Sequence, residues 1–432
     1  MTRRKMKDSG VAWIGQVPEG WSVRAFRFEF SFSKGLNITK ADLVDEGVPV
    51  VSYGQIHAKY NSARHLSDKL LRFVPEAVAE RDLDARLNKG DFVFADTSED
   101  VEGAGNFVLN DRDDVVYAGY HDLIARPNDS RNSAYLAYLF QTDAWRSQLR
   151  SMVQGIKVFS ITQRLFKKIS LILPPLSEQR KIAAFLDGEC GKIDMLRGKV
   201  EKQIAALEEY RKSVITEAVT KGIRRGRKMK PSGVKWIGEV PVEWKIERGK
   251  YFLRLLNRPV KGDDGVITCF RDGEVTLRSN RREEGFTFSF KECGYQGVEP
   301  GDLVVHGMDG FAGSIGISDS RGKASPVLNI LDTEHDKRYV MYYLRSMAYG
   351  DVFTSIASGI RVRSCDLRWN KLAELRYPLP SLREEKEIAD HIERECNKVD
   401  SMVAKCREEL DRLAEYKKSL IYEYVTGKKE VA

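Results

Sequence analysis

Several features typical of membrane proteins and disulfide-rich proteins are missing from this 432-residue sequence. No apolar run approaches the roughly 18 residues that a membrane-spanning helix needs. The basic N-terminus, residues 1–5, has no apolar segment behind it of the kind found in secretory signals. Six cysteines are few for this length and show no CxxC spacing, so we expect reduced thiols and neither a disulfide framework nor a zinc site. Together these absences favour a cytoplasmic protein.

Motifs for catalysis are equally scarce. The sequence has no GxxxxGK[ST] loop, no GxGxxG after a predicted strand, no GxSxG, no HExxH and no Asn-Pro-Pro-aromatic tetrapeptide of the kind amino-methyltransferases use. Residues 103–106 are too short a match to a phosphate loop. Residues 415–417 have the Glu-x-Lys spacing of a nuclease site but lie on the solvated face of a predicted helix. We therefore predict no catalytic residue, no metal site and no cofactor bound by this chain.

What the sequence does contain is a duplication. Residues 6–21 return as residues 229–244 with 11 of 16 positions identical, and proline-containing segments at Leu173 and Leu379 each open a long helical pattern. Two copies of one module therefore follow each other along the chain. The stretches between these landmarks diverge, and a shared frame with two different inserts suggests two different readouts.

The duplication sets the expected domain boundaries. At roughly 100 to 200 residues per domain, the length allows two to four domains. We predict a first domain over residues 1–172, a central long helix over 173–222, a second domain over 223–378 and a C-terminal long helix over 379–432.

Both helical stretches show one continuous apolar face. Apolar residues recur at steps of three or four from Ile182 to Ala218 and from Ile388 to Tyr424, with no proline inside either run. A helix of some 44 residues is on the order of 65 Å long and needs a partner along its apolar face. Since the first helix leads within about ten residues into the second insert, we expect the two helices to pair antiparallel through a coiled-coil-like seam, with the inserts at opposite ends and a pseudo-two-fold internal repeat.

The inserts have a different pattern, with short β-rich stretches separated by turns. Each is expected to contain a mixed sheet and a few helices, for example over residues 133–150 and 338–349. The predicted fold class is therefore α+β, with two mixed α/β domains joined by two long antiparallel helices.

The positive charge lies outside the helices. The whole chain carries a net +8, while residues 177–220 are balanced at 8 basic and 8 acidic residues and residues 383–426 have 9 basic and 12 acidic, which leaves +11 for the rest. An acidic partner is indicated, and nucleic acid is the first candidate. Generic solubilising charge is the open alternative.

Candidate DNA contacts fall in three places. The linker at residues 221–230 has six basic residues, long hydrogen-bond donors alternate with β-branched residues just before each long helix, and polar side chains follow the first predicted strand of each insert. Arginine and lysine match guanine, and glutamine matches adenine. The candidates are Tyr53, Gln55, Lys157, Ser160, Gln163, Arg164, Arg224, Arg225, Arg271, Arg361, Arg363 and Ser364. A solvated linker and an edge strand protected by charge remain alternatives.

These repeated segments resemble a known family. The pattern Ser-Gly-Val-x-Trp-Ile-Gly-x-Val-Pro-x-x-Trp at Ser9 and Ser232, with the segment 173–183, is similar to the specificity subunits of type I restriction-modification systems, where it opens each target-recognition domain and the central helix. The resemblance covers the whole chain. One departure lies in the second helix, where Glu385 stands in place of a glutamine.

The resemblance implies a DNA-binding subunit that is itself not catalytic. Each recognition domain would bind one half of a split double-stranded target, and the helices would fix the unread spacer between the halves. Two modification subunits carrying S-adenosylmethionine would dock and methylate adenine, and restriction subunits using ATP and magnesium would join them. A modification-only assembly, a coiled-coil protein scaffold and a self-contained DNA-modifying enzyme are the alternatives.

Overall fold

The order of the elements follows the order of the repeated sequence. A computed structural model describes residues 4–153, 158–281, 293–356 and 367–431. The chain divides into a first unit, Met1–Lys199 with Glu409–Ala432, and a second unit, Val200–Glu408. Each unit contains a domain of mixed helix and sheet together with part of each long helix, which confirms the predicted fold class.

The elements of the chain up to the first long helix are as follows. The strands are β1 Met6–Asp8, β2 Gln16–Pro18, β3 Ser22–Ala25, β4 Phe30–Lys34, β5 Val48–Val51, β6 Arg72–Val74, β7 Phe92–Ala95, β8 Thr97–Ser98, β9 Phe107–Leu109, β10 Tyr117–Ala118, β11 Asp122–Pro127, β12 Phe159–Ser160 and β13 Ser170–Leu173. The helices are α1 Tyr53–Ile56, α2 Glu76–Ala79, α3 Ser133–Gln141, α4 Asp143–Arg150, α5 Gln163–Phe166 and α6 Leu176–Lys221.

An antiparallel sheet in the order β4-β11-β7-β9 forms the centre of the first unit. Alternate residues of β7 face opposite sides, as strand geometry requires. Phe92 and Phe94 pack into an aromatic core with Phe140 of α3 and Trp145 of α4, while Val93 belongs to a second apolar cluster. Fully burying each such ring stabilises the fold by roughly 2–3 kcal/mol, so this core fixes the sheet on which the surface loops stand.

The rest of the chain repeats this plan. The strands are β14 Met229–Pro231, β15 Glu239–Pro241, β16 Lys245–Arg248, β17 Leu253–Leu255, β18 Ile267–Cys269, β19 Val275–Leu277, β20 Gln296–Val298, β21 Leu303–His306, β22 Ile315–Ile317, β23 Gly322–Ala324, β24 Leu328–Thr333 and β25 Arg376–Leu379. The helices are α7 Lys337–Tyr349, α8 Val352–Ile356, α9 Trp369–Glu374 and α10 Leu382–Val425. The antiparallel sheet β17-β24-β21-β22 corresponds strand for strand to the sheet of the first unit.

The long helices run antiparallel in both units. In the first unit the Lys417 ammonium lies 2.6 Å from the Asp194 carboxylate, and the rings of Tyr424 and Phe185 lie 4.5 Å apart. In the second unit Arg211 of α6 forms an ion pair with Asp400 of α10, the equivalent pair of the repeat. Among the described residues, no helix is long and apolar enough to cross a membrane.

One expected helix is broken. Residues 133–150 form α3 and α4 because Thr142 interrupts the run in an extended conformation. Its hydroxyl donates to the Leu139 carbonyl and accepts the backbone N–H of Trp145, so the side chain ends one helix and caps the next.

The repeated tryptophan of each opening motif is tied to the start of a long helix. In the first unit the Trp21 indole N–H donates to the Glu178 carboxylate at 3.0 Å, and Arg4 donates to the same carboxylate at 2.5 Å. The second unit repeats the arrangement with Trp244, Glu384 and Arg227, and there the Trp244–Glu384 distance is 3.3 Å. These indole–carboxylate–guanidinium triads explain why tryptophan and glutamate both recur in the duplication.

A buried tyrosine in each unit is clamped between a strand and the end of a long helix. The Tyr135 hydroxyl lies 3.0 Å from the Ile172 carbonyl and 2.9 Å from the Val425 carbonyl. Tyr339 has the same two kinds of partner in the second unit, the carbonyls of Val219 and Pro378. The mixed domain of each unit is therefore held to the strand that precedes one long helix and to the end of the other long helix.

Glu385 marks a difference between the two units. Its side chain is 0% exposed and accepts hydrogen bonds from His335 Nδ1 at 2.6 Å and from the Asp336 backbone N–H at 3.0 Å. The equivalent Gln179 instead donates to the Pro174 carbonyl at 2.8 Å. The hydrogen bond to Glu385 raises the pKa of His335 above its ordinary value, against an opposing effect of partial burial.

Candidate nucleic-acid interface

A cleft of about 870 Å³ opens in the first unit beside β8. Tyr53 reaches it as the first residue of α1, two positions after β5 ends, and 37% of this residue is exposed. The ring meets those of Tyr120 and His121 at centroid distances of 6.1 and 5.5 Å in edge-to-face geometry. An exposed, well-supported aromatic ring of this kind can pack against a sugar or a thymine methyl group. Gln55, on the same turn, is half-buried.

Two histidines that line this cleft, His57 and His121, form hydrogen bonds with neighbouring loops. His57 Nε2 lies 2.8 Å from the Thr97 carbonyl, while its Nδ1 lies 2.8 Å from the Asn106 amide nitrogen. The carbonyl can only accept, so the imidazole donates through Nε2 and accepts through Nδ1. His121 has a left-handed φ of 57°, and its Nδ1 lies 2.9 Å from the Asp96 carboxylate. A non-glycine residue held in this region indicates a backbone fixed by its surroundings.

The same cleft has acidic residues that the sequence pattern did not single out. Glu99, Asp100 and Glu102 line it and are exposed. Carboxylates accept hydrogen bonds from the exocyclic amino group of cytosine in the major groove. Burial raises the pKa of the carboxyl of Asp122, the residue after His121, well above its usual range, although this carboxyl accepts the Gly119 backbone N–H.

The segment before the first long helix lies at the rim of this cleft. β12 pairs antiparallel with β8, which places Ser160 opposite the cleft residue Thr97. Gln163, half-buried, and Arg164, exposed, follow on α5. Ser160 thus lies beside the cleft that Tyr53 lines, although the two residues are 107 positions apart in sequence.

In the second unit Arg271 stands at the tip of the β18–β19 hairpin. Its side chain is 69% exposed, and its Nη2 lies 3.2 Å from the Asp309 carboxylate. The hairpin occupies the place in the chain order that β5 and α1 have in the first unit, so the two units have different surfaces after the same first strand of the sheet.

Known proteins with this sequence pattern were found by comparison. A family model for the type I restriction modification DNA specificity domain matches residues 28–204. The type I restriction enzyme MjaVIII specificity subunit of Methanocaldococcus jannaschii is 24% identical over 437 residues, covering 96% of this chain and 94% of that protein. The chain is similar to the specificity subunits of type I restriction-modification systems along nearly its whole length. The StySPI specificity subunit of Salmonella potsdam is 20% identical over 96% of this chain and 90% of its own length.

The fold of this chain is also found in a solved structure. A chain from work on the complex assembly and conformational transition of the type I R-M system superposes with a TM-score of 0.65 at 15% identity, covering 96% of this chain and 99% of that chain. The likeness is one of fold.

Some basic residues of the linker at residues 221–230 form ion pairs within the protein itself. Arg224 forms an ion pair with Glu387 at 2.8 Å, and Arg227 belongs to the triad with Glu384. Arg225 is exposed. Some basic residues of the linker therefore stabilise the protein through ion pairs. Of the two predicted linker contacts, Arg225 is better placed than the ion-paired Arg224 to bind a phosphate.

Four other predicted contacts lie outside the described residues, namely Lys157, Arg361, Arg363 and Ser364. Sequence reasoning missed His57, His121 and the acidic cleft residues. His121 and the acidic residues lie in loops next to the buried strands β11 and β7, whereas His57 directly follows α1. Among the described residues, no group of histidine, cysteine, aspartate and glutamate side chains is placed to hold a metal ion.

Proposed function

We propose that this chain is the non-catalytic DNA-binding subunit of a type I restriction-modification complex and that each unit binds one half of a bipartite double-stranded target. The observation that supports the proposal is that the two units share one architecture but have different exposed surfaces. Both units have the same four-stranded sheet order and the same tyrosine clamp, yet one presents the Tyr53 cleft and the other the Arg271 hairpin. A common frame with unlike surfaces suits two recognitions of different sequence.

The chemistry would be supplied by partners. We propose that two modification subunits carrying S-adenosylmethionine dock on this chain and methylate adenine in the target. Restriction subunits using ATP and magnesium would join for cleavage of foreign DNA in host defence. Because the target is DNA, we place the assembly in the cytoplasm. The solved relative that shares the fold comes from work on complex assembly of a type I system, which supports a multisubunit arrangement.

Methylation-site mapping tests this function. Genomic DNA from cells with the chain and its cognate modification subunit is compared with DNA from cells that lack the chain. A split adenine-methylated motif that depends on the chain supports the proposal. A stable complex without any chain-dependent motif would instead favour a scaffold, and methylation or cleavage by the purified chain alone would favour an enzyme.

Exchanging residues 1–172 for those of a relative is expected to change one half-site and keep the other. The physical reason is that the aromatic core of the first unit and the apolar core of the second are separate clusters, so each recognition domain keeps its own surface. The mapped motif of the hybrid is the measurement. Simultaneous change of both half-sites would contradict the separation of the two recognitions.

Replacing Tyr53 by alanine is expected to lower methylation of the wild-type motif about 10-fold, since one good base or sugar contact contributes on the order of 1–3 kcal/mol. The rate of methylation of a duplex with the mapped target is the measurement. Tyr60 provides a matched control because it is also an exposed tyrosine of the first unit but does not line the cleft. Equal losses of methylation rate in Y53A and Y60A would show that the cleft does not contact the DNA.

A further inference from the structure

Backbone hydrogen bonds fix the conformation of the tip of the β18–β19 hairpin, which contains Arg271. The Phe270 backbone N–H donates to the Glu274 carbonyl at 2.8 Å, and the Gly273 N–H donates back to Phe270 at 2.9 Å. Gly273 has a φ of 87°, where residues with a Cβ are strained. A type of turn that few residues tolerate therefore fixes the direction in which Arg271 leaves the sheet.

A second arginine fills the space behind this turn. Arg345 Nε donates to the Ile315 carbonyl at 2.9 Å, and its Nη2 donates to the Asp272 carbonyl at 2.6 Å. A Cβ on Gly273 would lie 1.1 Å from that Nη2. The guanidinium of Arg345 thus occupies the space that a Cβ on Gly273 would take, and its hydrogen bond to Ile315 links the turn to β22 of the central sheet.

A third arginine closes the other side of the tip. Arg281 Nη1 lies 2.8 Å from the Asp272 carboxylate and 3.0 Å from the Glu274 carboxylate, and its guanidinium carbon lies 4.2 Å from the centre of the Phe270 ring. The carboxylates of Asp272 and Glu274 therefore both pair with Arg281. Arg271 pairs with a different carboxylate, that of Asp309.

That partner, Asp309, sits on a loop that is itself held in place. His306 Nδ1 accepts the backbone N–H groups of Met308 and Asp309 at 3.2 and 3.0 Å. Burial lowers the pKa of His306, which keeps the imidazole neutral and Nδ1 able to accept at neutral pH. The Asp309 carboxylate then accepts Arg271 Nη2, so both ends of the ion pair are anchored.

We propose that Arg271 binds a guanine of the half-site bound by the second unit and that Asp309 is a positioning residue that orients the guanidinium; this inference rests on the proposed function. A guanidinium has five N–H donors in a fixed planar fork. Within the part of the chain that the structure describes, Asp309 accepts from one terminal nitrogen, which leaves donors for the O6 and N7 acceptors of guanine in the major groove.

The charge of the tip favours a base over a phosphate. Three arginines (Arg271, Arg281, Arg345) and three carboxylates (Asp272, Glu274, Asp309) lie together, so the tip is close to neutral. A phosphate would gain little net attraction and would face nearby carboxylates. A neutral base edge with two acceptors instead gains from directed hydrogen bonds without that repulsion.

The test exchanges the hydrogen-bonding pattern of residue 271. In cells with the cognate modification subunit, the wild-type chain and the variants R271Q, R271K and D309N are mapped for methylated motifs. R271Q is expected to reduce methylation at guanine-containing sites about 10- to 100-fold and to shift one position of one half-site toward adenine, whose N6 and N7 match glutamine. R271K and D309N are expected to keep guanine with weaker discrimination.

Arg254 supplies a matched control. It is also an exposed arginine of the second unit paired with an aspartate, Asp332 at 3.4 Å, but it lies on β17 and not on the hairpin. R254Q removes the same charge and should leave the motif unchanged.

The outcomes separate the inference from the proposed function. No chain-dependent motif with the wild type would defeat the proposed function itself. A wild-type motif that R271Q leaves unchanged, changes in both halves, or loses together with R271K would overturn the role of Arg271 while the function stands. Loss of methylation in R271Q with an intact guanine-containing motif in R271K would support it, because an ammonium can still donate to guanine O6 or N7.

Discussion

Replacing Glu384 by alanine is expected to destabilise the second unit by about 3 kcal/mol, the range found when one partner of a buried ion pair is removed. Its carboxylate is 8% exposed and accepts from both Arg227 and Trp244, which would lose their common partner inside the protein. Arg227 would keep Glu243 at 3.3 Å as a partial substitute. Urea unfolding, followed by tryptophan fluorescence and by far-ultraviolet circular dichroism, measures the loss.

The duplication provides the matched control. Glu178 performs the same task in the first unit, but its side chain and that of Arg4 are 24% and 25% exposed. Solvent screens this pair more strongly, so E178A should cost about 1 kcal/mol. A double variant, E384Q with R227M, should recover part of the loss in E384A because it leaves no unpaired charge. Equal losses in E384A and E178A would mean that burial does not set the strength of the triads.

The long helices could be predicted because their signal is local. Apolar residues at steps of three or four define α6 and α10, and the structure confirms both. The triads could not be predicted, since Trp21 and Glu178 are 157 residues apart and nothing nearby in sequence links them. Spacing identifies an element, whereas a tertiary contact depends on how distant elements pack.

At the start of α10, too, a tertiary contact that local spacing does not predict decides the structure. Ser381 and Glu384 fit a capping box, and the Ser381 hydroxyl does accept the Glu384 backbone N–H at 3.3 Å. The Glu384 carboxylate, however, binds Arg227 and Trp244 instead of the backbone of Ser381. A buried charge-assisted partner is stronger than a solvated local one, so only half of the motif forms.

The surface exposure of two candidate contacts could be predicted from the sequence, whereas their contact with DNA stays a prediction. Tyr53 and Arg271 were expected because polar residues after the first strand of each insert are suited to a surface tip, and both lie at exposed tips. The orientation of Arg271 depends on Asp309, 38 residues further along, and on glycine conformation at the turn. Similarly, the charge run at 221–230 does not reveal that Arg224 is paired with Glu387.

A pH-dependent stability difference is expected from Glu385, since the equivalent residue of the first long helix is the uncharged Gln179. Because its bond to Glu385 raises the pKa of His335 above the ordinary 6.5, the protonated pair contributes its full stability below pH 6.5. That contribution is lost as the pH rises through the folded-state pKa. Glu247 and Glu334 also favour the protonated ring, and the Phe252 ring packs against it at 5.1 Å.

Urea unfolding of the wild type and of E385Q at pH 6 and pH 9 measures this effect. E385Q gives the second unit the residue that the first unit has at Gln179, and it should be less stable than the wild type at pH 6 by about 1 kcal/mol more than at pH 9, a modest value because the histidine is partly solvated. H335Q should reduce the difference between the two pH values in the same way. If the wild type and E385Q lose stability in parallel between pH 6 and pH 9, the imidazolium–carboxylate bond does not stabilise the second unit, and Glu385 is held by the Asp336 backbone N–H alone.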